Sequence, residues 1–213
     1  MRRYFHDATT LAWKDVLLEL RGRDTLPAMV LFVLGGLVVF HFAVPGDTSG
    51  GVGAGLLWVV ILFTALLALV RAFVAEREQR LMDGLLLAPC DRSAIWLGKA
   101  VAVLALLLVA EAVALPAFAI FFAGIGWSTV AAVALADIGI VSVGTLLAAM
   151  AAVTRARELL LPLLFLPLAI PIVVGGVGAS VEPNPARYLA FLALYDIVFA
   201  IISWASFEYV VSE

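Results

Sequence analysis

The sequence predicts an all-α integral membrane protein that crosses the bilayer six times, with both termini cytoplasmic, and three observations carry that prediction. Mean hydropathy is +1.15 and only 14% of the 213 residues are charged, well outside the range of soluble domains. Six apolar runs are each as long as the ~20 residues that a spanning helix needs. Basic residues collect at alternate ends of those runs, as cytoplasmic connectors require.

Taken in order, residues 1–25 carry Arg2, Arg3, Lys14, Arg21 and Arg23. The first apolar run starts too late for a cleaved signal peptide, and no small-residue cleavage pattern follows it cleanly. The segment is therefore read as a cytoplasmic amino-terminal segment. The spans are expected at 26–44, 52–74, 94–124, 128–153, 159–179 and 188–210. With the amino terminus inside, Arg71, Arg77, Arg80, Arg92, Lys99, Arg155 and Arg157 all fall at cytoplasmic ends or loops, and only Arg187 falls outside. The loops "PGDTSGG" (45–51) and "GIGWS" (124–128) hold no basic residue. Trp58 and Trp127 are placed near the outer interface and Trp96 and Trp204 near the inner one, where amphipathic rings favour headgroups. No repeat or soluble segment divides the chain, so 1–213 is read as a single six-span domain.

The spans hold three further signals. Ala132, Ala136, Gly144, Ala148 and Ala152 recur at four-residue steps around Ile140 in the fourth span, a smooth face for close helix approach. Pro162, Pro167 and Pro171 interrupt the fifth, where each removes a backbone donor, so that the helix must kink or open. This is either a packed, bent helix or a moving hinge. Glu111, Asp137 and Asp196 lie well inside spans, and a charge at membrane depth costs roughly 2.5–3.5 kcal/mol. They either form a polar network in the outer half or are separate anchors satisfied by Ser142, Thr145, Tyr195 or backbone. His41, at the outer end of the first span, is a lone interfacial histidine, better suited to headgroups than to a metal.

Missing motifs narrow the function. A phosphate loop needs glycine at 93, where Ser93 stands before Gly98 and Lys99; there is no G-x-S-x-G, no H-E-x-x-H, and the lone Cys90 excludes an intramolecular disulfide. No catalytic residue, resident cofactor or metal site is expected, nor any nucleic-acid contact. The charged stretch "AEREQRLMDGLLLAPCDR" (75–92) is the longest internal connector. Glu76 to Leu87 reads as a short helix, ended by Pro89, after which Asp91 caps the third span. Leu85, Leu86 and Leu87 amid Glu76, Arg77, Asp83, Asp91 and Arg92 fit an apolar anchor with a charged rim for a soluble partner. A salt-bridged connector folded on its own amino-terminal segment fits these residues equally well.

The stretch "FVAEREQRLMDGLLLAPCDRSAIWLGKA", followed later by "TRARELLLPLLFLPLAIPIVVGG", resembles the CcmB family of haem exporter permeases of cytochrome c maturation system I. The six-span plan, the charged connector and the triple-proline span occur in the family's order. His41 and Asp196 match no family motif. The resemblance implies an ABC-2-like (type V exporter-like) permease of the bacterial inner membrane, two copies of which pair with two copies of a CcmA-like ATPase. CcmC-like and CcmD-like membrane proteins and a periplasmic CcmE-like haem chaperone complete the set. ATP would be bound on the partner, and haem would be a transported or handled ligand of the complex. On that reading residues 1–25 are the elbow along the inner membrane surface, residues 75–92 are the coupling helix, with Leu85 and Leu86 as anchor, and Arg155, Arg157 and Glu158 are a second, shorter contact. The rivals are an ABC-2 permease for a lipid, polysaccharide or drug, a proton-coupled secondary transporter using the three carboxylates, and a non-transporting scaffold.

Overall fold

A computed structural model describes residues 2–22, 25–44, 51–72, 91–122, 124–152, 154 and 157–212. Among them the ordered elements are seven helices: α1 (Arg2–Gly22), α2 (Thr25–Ala43), α3 (Gly51–Arg71), α4 (Arg92–Phe121), α5 (Trp127–Ala152), α6 (Arg157–Val181) and α7 (Ala186–Ser212). Helices α2 to α7 are long and apolar enough to cross a membrane, within a few residues of the expected spans. In hydrocarbon no water satisfies a free N–H or C=O, so chains this apolar resolve into helices whose backbone bonds are internal.

The ends follow local chemistry. Pro27 lies in the first turn of α2, where its missing N–H has no intrahelical partner to lose. Helix α4 ends with the Phe122 and Gly124 N–H groups donating to the Phe118 and Ala119 carbonyls, and Gly124 takes φ 99°, a left-handed stop that suits glycine. A tight turn then starts α5, with the Thr129 N–H on the Gly126 carbonyl. Asp91 stands at the N-cap of α4 but makes no side-chain capping bond, so the expected cap is absent; with φ −63° and ψ 134° it closes the turn through its carbonyl, which accepts from Ala94.

Helix α5 is the most buried span and touches α3, α4, α6 and α7. Its small-residue face is buried as expected: Ala132, Ala136, Ile140, Gly144, Ala148 and Ala152 all lie inside. Leu69 of α3 sits directly on Gly144. Helix α6 lies against α3, α5 and α7, α2 against α3 and α4, and α1 mainly against α4. Helix α4 has 30 residues, about 45 Å at 1.5 Å per residue, and so exceeds a ~30 Å hydrocarbon core. Its first turns therefore reach the level at which α1 crosses it.

Two of the tryptophans turn into the bundle and not toward lipid. Trp58 is fully buried: its ring lies on Gly176 of α6, and its indole N–H donates to Ser180 Oγ at 3.2 Å. Trp96 is buried too. A bare glycine backbone opposite, or a neighbouring helix, offers the ring closer packing than lipid does. Trp127 and Trp204 are exposed on the bundle surface. Helix α6 runs through Pro162, Pro167 and Pro171 as one continuous helix, since each proline removes only one bond of the ladder. In the turn that ends at Pro171, the Leu168 carbonyl also accepts from the Tyr195 hydroxyl of α7 at 2.7 Å.

Candidate functional site

Two groups of polar side chains stand out in this apolar bundle. The first lies at mid-depth. Glu111 is ten residues from the end of α4, and Asp137 and Asp196 are each ten residues from the start of α5 and α7. At 1.5 Å per residue that is about 15 Å from the short-turn end of the bundle, close to the middle of a ~30 Å core. All three are buried, Asp137 to 1% exposure.

The structure pairs two of them. Glu111 and Asp137 are neighbours between α4 and α5, and Glu111 Oε1 and both Asp137 oxygens meet no N–H or O–H donor among the described residues. Two carboxylates are acceptors only, so a bond between them requires a proton held on one. On its other side Glu111 borders a small, largely apolar cavity lined by Val33, Val60, Ile61, Thr64, Leu107 and Ala110. Asp196 does not join the pair. A Cβ added at Gly139 would lie 2.7 Å from Asp196 Oδ1, and Gly139 faces about 200° away from Asp137 around α5. Both Asp196 oxygens are likewise without a donor. Two of the hydroxyls expected to satisfy these carboxyls are committed elsewhere: Thr145 donates to the Val141 carbonyl at 2.6 Å and Tyr195 to Leu168. A helical hydroxyl reaches its own preceding turn more readily than a neighbouring helix.

The second group lies at the opposite end, where α1, the end of α3 and the start of α4 meet. Lys99, only 4% exposed, donates to the Ala72 carbonyl at 2.8 Å and pairs with Asp15 Oδ2 at 2.9 Å; Lys14 reaches Asp15 Oδ1 at 3.0 Å. Beside them α1 packs closely on α4. A Cβ at Gly98 would lie 2.9 Å from Leu11 Cβ and 3.0 Å from the Ala8 carbonyl. Ala8, Ala12 and Asp15 form the buried face of α1, while Phe5, Trp13, Leu18 and Leu20 are exposed. A cleft bordered by Val16, Leu18, Glu19, Arg71, Val103 and Leu106 adjoins the ion pair. Sequence reasoning missed Asp15 and its pairing with Lys99. The available signal was the i, i+4, i+7 register of Ala8, Ala12 and Asp15, with a lysine following Gly98.

Of the expected coupling residues, Glu76, Arg77, Asp83, Leu85 and Leu86 lie outside the described residues, as does Arg155 of the second contact. Asp91 is exposed and Arg92 partly so at the start of α4, and Arg157 and Glu158 open α6. His41 is exposed among aromatic rings, 5.2 Å from Phe121 and 5.8 Å from Phe122. No group of three His, Cys, Asp or Glu side chains suited to a metal occurs among the described residues.

The chain is 31% identical over 181 residues to the heme exporter protein B of Bradyrhizobium diazoefficiens, an alignment covering 81% of this chain and 80% of that protein. The CcmB protein family model matches residues 6–207, a range that runs from the second turn of α1 through α2 to α6 and most of α7 and takes in the charged connector. With its six-helix bundle and its match to the family over nearly its whole length, this multi-pass membrane protein belongs to the CcmB family.

Proposed function

We propose that the chain is the membrane permease subunit of a haem-handling complex in c-type cytochrome biogenesis. It couples ATP hydrolysis on a separate CcmA-like subunit to haem export or to release of a haem-loaded, CcmE-like periplasmic chaperone, alongside CcmC-like and CcmD-like membrane partners. The observation that carries this reading is the family match across residues 6–207, supported by the relative named for haem export. The missing phosphate loop agrees with ATP being bound on a partner.

On this reading the α1 end of the bundle is cytoplasmic and the membrane is the bacterial inner membrane. Arg71, Arg92 and Lys99 lie at that end, while Arg187, exposed beside Glu182 and Tyr188, lies at the other. Residues 75–92 then face the ATPase, with Leu85 and Leu86 as anchor and Glu76, Arg77, Asp83, Asp91 and Arg92 as rim. Arg155, Arg157 and Glu158 provide the second contact, and Pro162, Pro167 and Pro171 the compliance of α6.

The test is purification of the complex through a tag on this chain, with two measurements: the ATPase recovered and the ATP-dependent activity. Truncating a buried anchor typically costs upwards of ~2 kcal/mol, against about 0–1 kcal/mol for an exposed rim pair. Leu85→Ala with Leu86→Ala is expected to lose both the ATPase and the activity. Charge reversal at Glu76 or Arg77 is expected to keep most of the binding and lower the activity. A leucine double variant that keeps its ATPase and full activity makes 75–92 a mere connector.

A further inference from the structure

The connector 73–90 joins two described stems, the end of α3 at Ala72 and the start of α4 at Arg92. Lys99 bonds to the first stem from within the second. It sits two turns inside α4, and its ammonium reaches the Ala72 carbonyl at 2.8 Å and also pairs with Asp15 of α1 at 2.9 Å. One buried cation therefore holds three helices. An ammonium carries three donors on a flexible stem, so two bonds to different helices, both sheltered from water, fix where that stem ends.

The adjacent residue makes the hold stiff. At Gly98 the backbone of α4 comes so near Ala8 and Leu11 that a single added carbon would meet them at 2.9–3.0 Å. Close packing and the ion pair thus coincide on consecutive residues. Asp15 also takes Lys14 at 3.0 Å. The geometry at Lys99 is that of a brace.

We propose that Lys99 and Asp15 are positioning residues that brace the base of the connector, making α1 and the stems of α3 and α4 one body that moves when the connector is pushed. The proposal rests on the docking reading of residues 75–92 given above, and it locates where the push enters the membrane part. Without the brace, a docked ATPase would displace the connector alone. The loss would then appear in transmission and not in attachment.

The experiment uses the assembled complex and two readouts. In complexes carrying Lys99→Met or Asp15→Asn, recovered ATPase should stay within about twofold of wild type. The ATP-dependent activity should fall at least tenfold in kcat, with the KM for ATP unchanged. Lys99→Arg, which keeps the charge and the donors, should recover most of it, and the Asp15→Asn, Lys99→Met double variant should lose no more than either single one. The second readout needs no ATPase: spin labels at Thr10→Cys in α1 and Val101→Cys in α4, in a Cys90→Ser background, should give a narrow distance distribution that broadens on Lys99→Met. An unbroadened distribution overturns the brace, and so does a broadened one with unchanged coupled activity. Failure of the docking reading is separate, since it shows as ATPase retained by the Leu85→Ala, Leu86→Ala variant. Should Lys99→Met fail to fold, Asp15→Asn and Lys99→Arg carry the same test.

Discussion

Replacing Asp137 by asparagine should leave the folded bundle nearly as stable as before, whereas leucine should not. Asp137 and Glu111 are buried neighbours with no other donor on Glu111 Oε1 or on either Asp137 oxygen, so whatever bond joins them depends on a shared proton. An amide at 137 supplies its own N–H to Glu111. Interhelical hydrogen bonds in membrane proteins average ~0.6 kcal/mol and reach ~1.7, so the exchange should change stability by less than about 1 kcal/mol. Leucine has a similar volume but leaves Glu111 with no partner, and an unsatisfied buried polar group costs about 1–3 kcal/mol. The difference is a factor of roughly 30 in the unfolding equilibrium if it amounts to 2 kcal/mol. It is measurable by reversible unfolding of the purified chain in mixed micelles, titrated with SDS and followed by tryptophan fluorescence, for which the buried Trp58 and Trp96 are reporters. Asparagine and leucine variants that lose the same stability would refute the pairing. The asparagine variant also separates packing from chemistry. If it assembles with its partners at wild-type levels while ATP-dependent activity is lost, the proton on the pair matters for function and not merely for the fold.

Two further outcomes follow from the packing and from the proposed orientation. Gly176→Leu should destabilise the bundle by about 1–3 kcal/mol through overpacking, because any Cβ there would overlap the Trp58 indole, while Gly35→Ala, with nothing within 4 Å, should be neutral or slightly stabilising; the same micelle titration reads both. In a Cys90→Ser background, a cysteine at Asp47 should react with a membrane-impermeant maleimide on intact spheroplasts and one at Asp91 only in inverted vesicles. The reverse pattern would overturn the orientation.

The six spans and the close-packing face of α5 were legible in the amino-acid sequence, because length, hydropathy and a four-residue recurrence of small side chains are properties of one helix at a time. The absence of a phosphate loop and the resemblance carried by the connector and the triple-proline span were legible for the same reason. What escaped concerns pairs of helices. Nothing in the sequence distinguished Trp58, which lies on Gly176, from Trp127, which faces outward. Nor did it show that Glu111 meets Asp137 while Asp196 turns to the other side of α5, or that Asp15 meets Lys99. In a soluble protein an amphipathic period would have marked the inward faces. Here lipid is as apolar as the interior, so no sorting of polar from apolar residues records which face turns inward, and partners are chosen by close packing and by the scarcity of buried hydrogen-bond donors. Those choices depend on how each helix is rotated and where it crosses its neighbour, and they exist only once the helices are assembled.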